Sequence, residues 1–410
     1  MEGEDHDLNE ANSISILNSE NKLYKHQYLP SGKEGEGNIE AVGEIILDFL
    51  FNDYADTIFS SISKTEFSGK VQSIFSENYK DGKTFSTSFA SLMNNLFPNS
   101  GLVFIYPNDK RLKKILTPVF RKELETYPYT SQLIIEQSAE IEKQFHAQIK
   151  PRSINLFFFH NSGRYALEPS TEKISLKGTR IQISNEEINS LLQNSPESFS
   201  PNVVLRPICQ DSLLPTVAYV AGPSEIAYFA QLKPVYKYFG LTFPIIFPRA
   251  SATIIESRIK KILEKFQLDV IDFFQQKEKV IRKFSENLTD NNLKEEFVKF
   301  EQSINLSFDT LVPSLQSIDS TLIGSVDTSK NKILYQLNSL KERSFTALQK
   351  KNQTSIQQIE KVIDILFPFE NFQEREINIL YFLNKYGLDA IEKVSNELSI
   401  TSFEHQLISL

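Results

Sequence analysis

Short apolar runs dominate the chain up to about residue 250, and stripes spaced by three and four residues dominate it from there to about residue 366. In the first stretch Gly101-Leu102-Val103-Phe104-Ile105-Tyr106 predicts a strand stopped by Pro107-Asn108-Asp109. Leu112, Ile115, Leu116, Val119 and Phe120 then follow at helical spacing. Ile154–Phe159 predicts a buried strand with Gly163–Leu167 as its hairpin partner, and Ile174–Ile183 a further hairpin around Lys177-Gly178. Thr216–Ala221 reads as another buried strand. Gly222-Pro223 opens a helix carrying Glu225, Ile226, Tyr228, Phe229, Leu232, Val235 and Tyr236, which ends at Gly240. Phe243–Phe247, closed by Pro248-Arg249, is the next strand. A strand–helix–strand unit of about 30 residues requires parallel strands, so the hairpins are expected as antiparallel insertions in a mostly parallel α/β domain.

From 251 the pattern changes. Ile255, Ile259, Ile262 and Phe266 begin a stripe, Leu293, Phe297, Phe300, Ile304, Phe308 and Leu311 resume it, and Leu337, Leu340, Phe345, Leu348, Ile359 and Leu366 extend it. Such sustained spacing predicts an antiparallel coiled-coil arm, with a kink or fresh helix start near Pro313. Glu374–Tyr386 predicts a helix capped by Gly387. Three domains are expected: an α/β core over 1–250, a helical coiled coil over 251–367, and a C-terminal helical segment over 368–410 that packs on the core.

Charge and composition narrow the classes. The net charge is −8, and residues 1–60 alone hold thirteen Asp and Glu against three Lys. An acidic chain without a basic face offers nucleic acid no electrostatic footprint. No apolar run reaches the ~18–20 residues of a membrane-spanning helix, and the acidic Met1–Asp7 start is unlike a signal or transit peptide. The single cysteine, Cys209, excludes an internal disulfide and a thiolate cluster. A soluble, cytoplasmic protein is expected. The histidines at 6, 26, 146, 160 and 405 lack metal-ligand spacing, and Walker, G-x-G-x-x-G, G-x-S-x-G and H-E-x-x-H motifs are absent.

Ligands of open parallel sheets sit beyond the carboxyl ends of the strands. Those ends here carry Gly222, Pro223, Ser224 and Glu225 on one strand and Arg249 and Ser251 on the next, which gathers a carboxylate, a guanidinium and hydroxyls around one crevice. Glu225 would suit a substrate amine, or simply favour the helix dipole. Arg249 would meet an anion. Around Asn202-Val203-Val204-Leu205-Arg206-Pro207, Arg206 could clamp a carboxylate or phosphate with Asn202 and Gln210 orienting it, or pair structurally with Asp211. Glu4-Asp5-His6-Asp7 could supply a general base, or form a solvated turn. Cys209 reads as a small core residue.

Three separated motifs resemble the bacillithiol biosynthesis cysteine-adding enzymes. They are Gly3-Glu4-Asp5-His6-Asp7-Leu8-Asn9-Glu10; the stretch from Ser200-Pro201-Asn202 through Leu205-Arg206-Pro207 and Ala221–Tyr228 to Phe247-Pro248-Arg249; and Glu374-Arg375 with Tyr381–Gly387. The resemblance implies a Rossmann-like core with connecting insertions, a coiled coil that helps form a homodimer, and a ligase joining L-cysteine to the amine of glucosaminyl-malate by an amide bond. It further implies an activated cysteine carboxyl and an adenine nucleotide (ATP or ADP) near the coiled coil; no metal-ligating residue is singled out. On this reading His6 accepts the amine proton with Asp5 or Asp7 orienting it. Asn202, Arg206, Gln210, Gly222, Glu225, Tyr228 and Arg249 hold substrate, and Asn384, Tyr386 and Gly387 the nucleotide. The competing expectation is a non-catalytic coiled-coil dimerisation protein descended from that family. In the family the acidic-histidine motif is internal, preceded by the first Rossmann strands and a Gly-Gln-Gln … Gly-Pro loop. The core is therefore expected to be N-terminally incomplete, with exposed apolar sheet surface and poor solubility.

Overall fold

The strand–helix–strand unit around Gly222 is built from local signals. In the computed structural model, which describes all residues except 1, 2, 6, 32–38, 289 and 290, Pro223 starts a helix that runs to Phe239 and ends at Gly240. Gly240 adopts φ +72, the left-handed conformation that closes helices at least cost in glycine. Its N–H and that of Leu241 return to the carbonyls of Lys237 and Tyr236.

Eleven strands are described. β1 (Ser13–Leu17) and β2 (Leu23–Gln27) pair near the start of the chain. β3 (Leu156–His160), β4 (Gly163–Pro169), β5 (Lys173–Leu176), β6 (Gln182–Ser184) and β7 (Phe199–Pro201) form one five-stranded sheet in the order β6-β5-β4-β3-β7. All four pairings in that sheet are antiparallel, with Phe157 opposite Ala166 and Phe158 opposite Phe199. The predicted insertion hairpins thus make the largest sheet. Parallel pairing lies in β8 (Ala218–Ala221) and β9 (Ile245–Pro248), where Tyr219 faces Ile246. β10 (Ala252–Ile255) pairs with β11 (Gln406–Ser409).

Helices precede, flank and follow these strands. The first are α1 (Leu8–Ala11), α2 (Leu50–Ser61), α3 (Ser68–Asn78), α4 (Phe85–Leu96), α5 (Lys110–Thr126) and α6 (Tyr129–Ile141). α7 (Asn185–Asn194), α8 (Leu205–Leu213) and α9 (Pro223–Phe239) alternate with β6–β9. Leu116 and Phe120 from α5, Ile134 from α6, Leu156 and Phe158 from β3 and Leu232 from α9 share one core. A smaller core joins Leu8, Tyr28, Val42, Ile45, Leu47 and Phe85.

The helical stretch comprises α10 (Ser257–Phe266), α11 (Lys277–Leu288), α12 (Asn291–Ile318), α13 (Ile323–Lys351) and α14 (Gln353–Leu366), followed by α15 (Gln373–Glu376), α16 (Leu380–Tyr386) and α17 (Asp389–Glu397). α12 and α13 form the antiparallel pair, bridged by Lys330 and Asp309 at 3.3 Å. By contact the chain divides into two compact units: Met1–Ser19, Tyr24–Ala252 and Asn378–Gln406 form one, and Glu20–Leu23, Thr253–Ile377 and Leu407–Leu410 the other. No helix among the described residues is long and apolar enough to cross a membrane.

Three local expectations need correcting. Residues 101–106 form no strand; Leu102 and Val103 are 49% and 80% exposed, because no described strand lies alongside to complete a ladder. Helix α12 runs through Pro313, so the fresh start falls later, at Ile323, after a short turn over Ser320–Leu322 that Asp319 opens by accepting from the Thr321 N–H. The helix expected over 374–386 breaks at 377–379. There Asn378 gives its N–H to the Ser15 carbonyl and caps α16 by accepting from Leu380 N.

Candidate functional site

At the carboxyl ends of β8 and β9 the chain turns into residues 222–225 and 249–251, as parallel pairing requires. Pro223 and Glu225 set the first turn of α9. Glu225 Oε2 accepts from the Gly222 N–H at 2.8 Å, satisfying an amide that the helix cannot. Its other oxygen accepts from the Tyr219 hydroxyl at 2.7 Å. Arg206, on α8, donates to the hydroxyls of Tyr219 (3.1 Å) and Tyr228. Arg206, Tyr219 and Glu225 thus form a continuous chain of hydrogen bonds from cation to carboxylate.

These groups line a cavity of about 580 Å³, together with Glu4, Lys113, Cys209 and Gln210. Burial alone would raise the Glu225 carboxyl. The Gly222 amide, the Tyr219 hydroxyl and the charges of Arg206 and Arg249 outweigh it and hold the group below the usual carboxylate range. Burial pushes the Tyr219 and Tyr228 hydroxyls upward despite the opposing Arg206 charge. At neutral pH the cavity therefore offers a guanidinium, two protonated phenols and an ionised carboxylate.

On the cavity's far wall lies a buried ionic chain. Lys113 Nζ is 2.5 Å from Glu4 Oε1, with side chains 1% and 2% exposed. The contact is ionic rather than a well-aligned hydrogen bond, since Glu4 Oε1 has no hydrogen-bond partner. Lys113 also donates to the Phe199 carbonyl at 2.7 Å. Glu4 Oε2 accepts from Ser200 Oγ, Arg164 Nε donates to that same hydroxyl oxygen, and Arg164 reaches Asp5 at 3.5 Å. β4, β7, α5 and the start of the chain thereby meet at one point.

Of the residues singled out in the sequence, Arg206, Gln210, Glu225 and Tyr228 line the cavity, while Gly222 does not line it and gives its N–H to Glu225. Asn202 is buried beside them: its Nδ2 donates to Asn155 Oδ1, and its Oδ1 accepts from the Val204 N–H, capping α8. Gln210 donates to Asp211, which also accepts from the Tyr236 hydroxyl. Arg249 is exposed, and its N–H pairs with the Ala221 carbonyl. Asp5 meets Arg164, and Asp7 caps α1 by accepting from Asn9 N at 3.2 Å. His6 lies outside the described residues.

The three residues expected at a nucleotide have internal roles. Asn384 Nδ2 donates to the Ser63 carbonyl and its Oδ1 accepts from Ser68, both at 2.8 Å. Gly387 has φ +74, and a Cβ there would stand 2.9 Å from Phe67 Cδ1. Tyr386 is half-buried, with Lys385 Nζ 5.7 Å from its ring centre. The Asn384 amide is thus engaged within the fold on both its nitrogen and its oxygen. Among the described residues no cluster of three or more His, Cys, Asp or Glu could hold a metal ion.

Sequence reasoning missed Glu4 as a cavity residue, and Lys113, Arg164 and Tyr219. Lysine 113 reads as one of four cations in Lys110–Lys114, and only the three-dimensional placement of Glu4 distinguishes it. Ser251 was named from its strand end, but its partner was not: Ser251 Oγ lies 2.7 Å from His405 Nδ1. Tyr219 was legible in principle, since a tyrosine inside an apolar strand two residues before its end faces the same crevice.

Comparison with known proteins agrees with this architecture. Residues 1–250 match the model of the bacillithiol biosynthesis BshC N-terminal Rossmann-like domain, and residues 252–410 that of the BshC C-terminal coiled-coil domain. A protein of Salinibacter ruber named "Putative cysteine ligase BshC" is 32% identical over all of this chain and 75% of its own length. Proteins with the same name are 34% identical in Chloroherpeton thalassium, over all of this chain and 74% of theirs, and 30% identical in a Geobacillus species, over 96% and 73%. With both domain models matched in order across its length, the chain belongs to the bacillithiol biosynthesis BshC family.

Proposed function

We propose that this chain is a cysteine ligase of bacillithiol biosynthesis that joins the carboxyl of L-cysteine to the amine of glucosaminyl-malate by an amide bond. The observation that carries the reading is the 580 Å³ cavity, lined by Arg206 and Glu225 joined through the Tyr219 hydroxyl, in a chain of the BshC family. A malate carboxylate needs a planar, fixed cation, and Arg206 is oriented by two phenols. An amine needs a nearby carboxylate, and Glu225 is ionised at neutral pH. The amine nitrogen bonds to the carbonyl carbon of an activated cysteine, an acyl-adenylate or acyl-phosphate, as the bond from that carbon to the activating AMP or phosphate oxygen breaks. The leaving group departs with its electron pair, and the amine loses a proton. We assign its acceptance to His6, which follows the cavity residue Glu4 by two positions. Activation of the cysteine carboxyl is not assigned to Asn384, Tyr386 or Gly387. The homodimer through the coiled coil and the cytoplasmic location belong to the same proposal.

Calorimetric titration of glucosaminyl-malate tests the site. The wild type binds one equivalent, and Arg206→Ala weakens binding about 10- to 100-fold, the worth of a charge-assisted hydrogen bond. Equal affinity in wild type and in a folded Arg206→Ala protein would remove the anion role. His6→Ala lowers kcat about 10²–10⁴-fold with little change in substrate affinity, as loss of a general base does. Full turnover would exclude it as the base.

A further inference from the structure

A second cavity, of about 260 Å³, lies among α2, α3 and α4 and shares no lining residue with the first. Its walls are rings: Phe51, Tyr54, Phe59, Phe75, Tyr79 and Phe89 all line it. Several already pack on one another, Phe51 stacked on Tyr79 at 5.5 Å and 16° and Phe59 edge-on to Phe75 at 6.3 Å and 67°, so the walls are preorganised rather than collapsed. No lining residue is charged. The hydroxyls of Tyr28 and Tyr54 are engaged by Asp48 and by the His26 carbonyl.

One polar group breaks this apolar surface. Asn12 lines the cavity, is only 2% exposed, and its Nδ2 is buried without a hydrogen-bond partner. An orphaned buried donor is destabilising, so an acceptor arriving in the cavity would recover that cost. Apolar cavities near 150 Å³ already take up benzene; 260 Å³ admits a two-ring system.

We propose that this cavity is a binding site for an uncharged, planar aromatic molecule of one or two rings, carrying a single hydrogen-bond acceptor that meets Asn12 Nδ2. The aromatic walls select a flat ring by edge and face contacts. The absence of any lining cation or anion rejects phosphorylated or zwitterionic molecules, whose charges would be desolvated without compensation. The site is therefore chemically unlike the Arg206–Glu225 cavity and independent of the ligase reading.

The chain contains no tryptophan, so a naphthyl probe can be read without interference. The probe is 6-propionyl-2-(dimethylamino)naphthalene, an uncharged two-ring ketone, with naphthalene as its acceptor-free counterpart. The ketone should saturate at one equivalent with blue-shifted emission. Ala55→Phe and, separately, Ser76→Phe fill the cavity from α2 and α3, and each should weaken binding at least tenfold. Thermal unfolding of each variant reports whether it is folded. Asn12→Leu should weaken the ketone about tenfold and leave naphthalene unchanged. Unsaturable uptake, or uptake indifferent to whichever filling variant folds, would overturn the site. Equal effects of Asn12→Leu on both probes would overturn the acceptor contact.

Discussion

Lys113 holds one of the buried polar networks of the first unit together. Its ammonium is enclosed by Glu4 and the Phe199 carbonyl. Replacing one member of such a pair leaves the other charge buried and uncompensated, and Lys113→Met should cost about 3–5 kcal/mol in urea unfolding. A loss below 1 kcal/mol would mean that Glu4 finds water or another partner. Glu123 behaves differently. Burial pushes its carboxyl up, against bonds from Thr130 and Asn155 that favour the ionised form. A raised folded-state value means that stability is greatest below the unfolded carboxylate range and declines as pH rises through it to the folded value. Glu123→Gln should abolish that decline and be relatively more stable at pH 8 than at pH 4. An unchanged pH profile in thermal melts would contradict the assignment.

At the scale of elements, two helix ends are decided by single residues. Glu225→Ala leaves the Gly222 N–H and Tyr219 hydroxyl without their acceptor and should cost about 1 kcal/mol, typical of losing an N-terminal cap. Gly387→Ala combines a positive φ with a Cβ pressed on Phe67, and should cost about 1–3 kcal/mol. Adding Phe67→Leu would restore the steric part and leave the backbone part. These ends were legible in the sequence because Gly-Pro openings and glycine closures are local. The β8–α9–β9 unit, the β3–β4 and β5–β6 hairpins and the α12–α13 pair follow from the same kind of signal. Residues 101–106 mislead for the opposite reason: an apolar run states that a strand is possible, while its partner is a fact about distant chain. The Lys113–Glu4–Ser200–Arg164 network was illegible because its members come from four segments far apart in sequence, each unremarkable alone.

At the scale of the molecule, the β8–β9 pair and its surroundings leave Val103, Val217, Val220 and Ile245 between 61% and 80% exposed. Such a patch promotes self-association. Val217→Lys with Val220→Lys should lower light scattering at a given concentration while shifting stability by no more than about 0.5 kcal/mol, as exposed positions do. A large loss would show that these side chains are covered in solution. The central claim is chemical. Mass spectrometry of the chain incubated with ATP, carbon-13-labelled L-cysteine and glucosaminyl-malate should show labelled bacillithiol, formed at a rate that falls with Arg206→Ala. Enzyme that binds glucosaminyl-malate yet forms no labelled product would contradict the ligase reading and favour a non-catalytic coiled-coil protein.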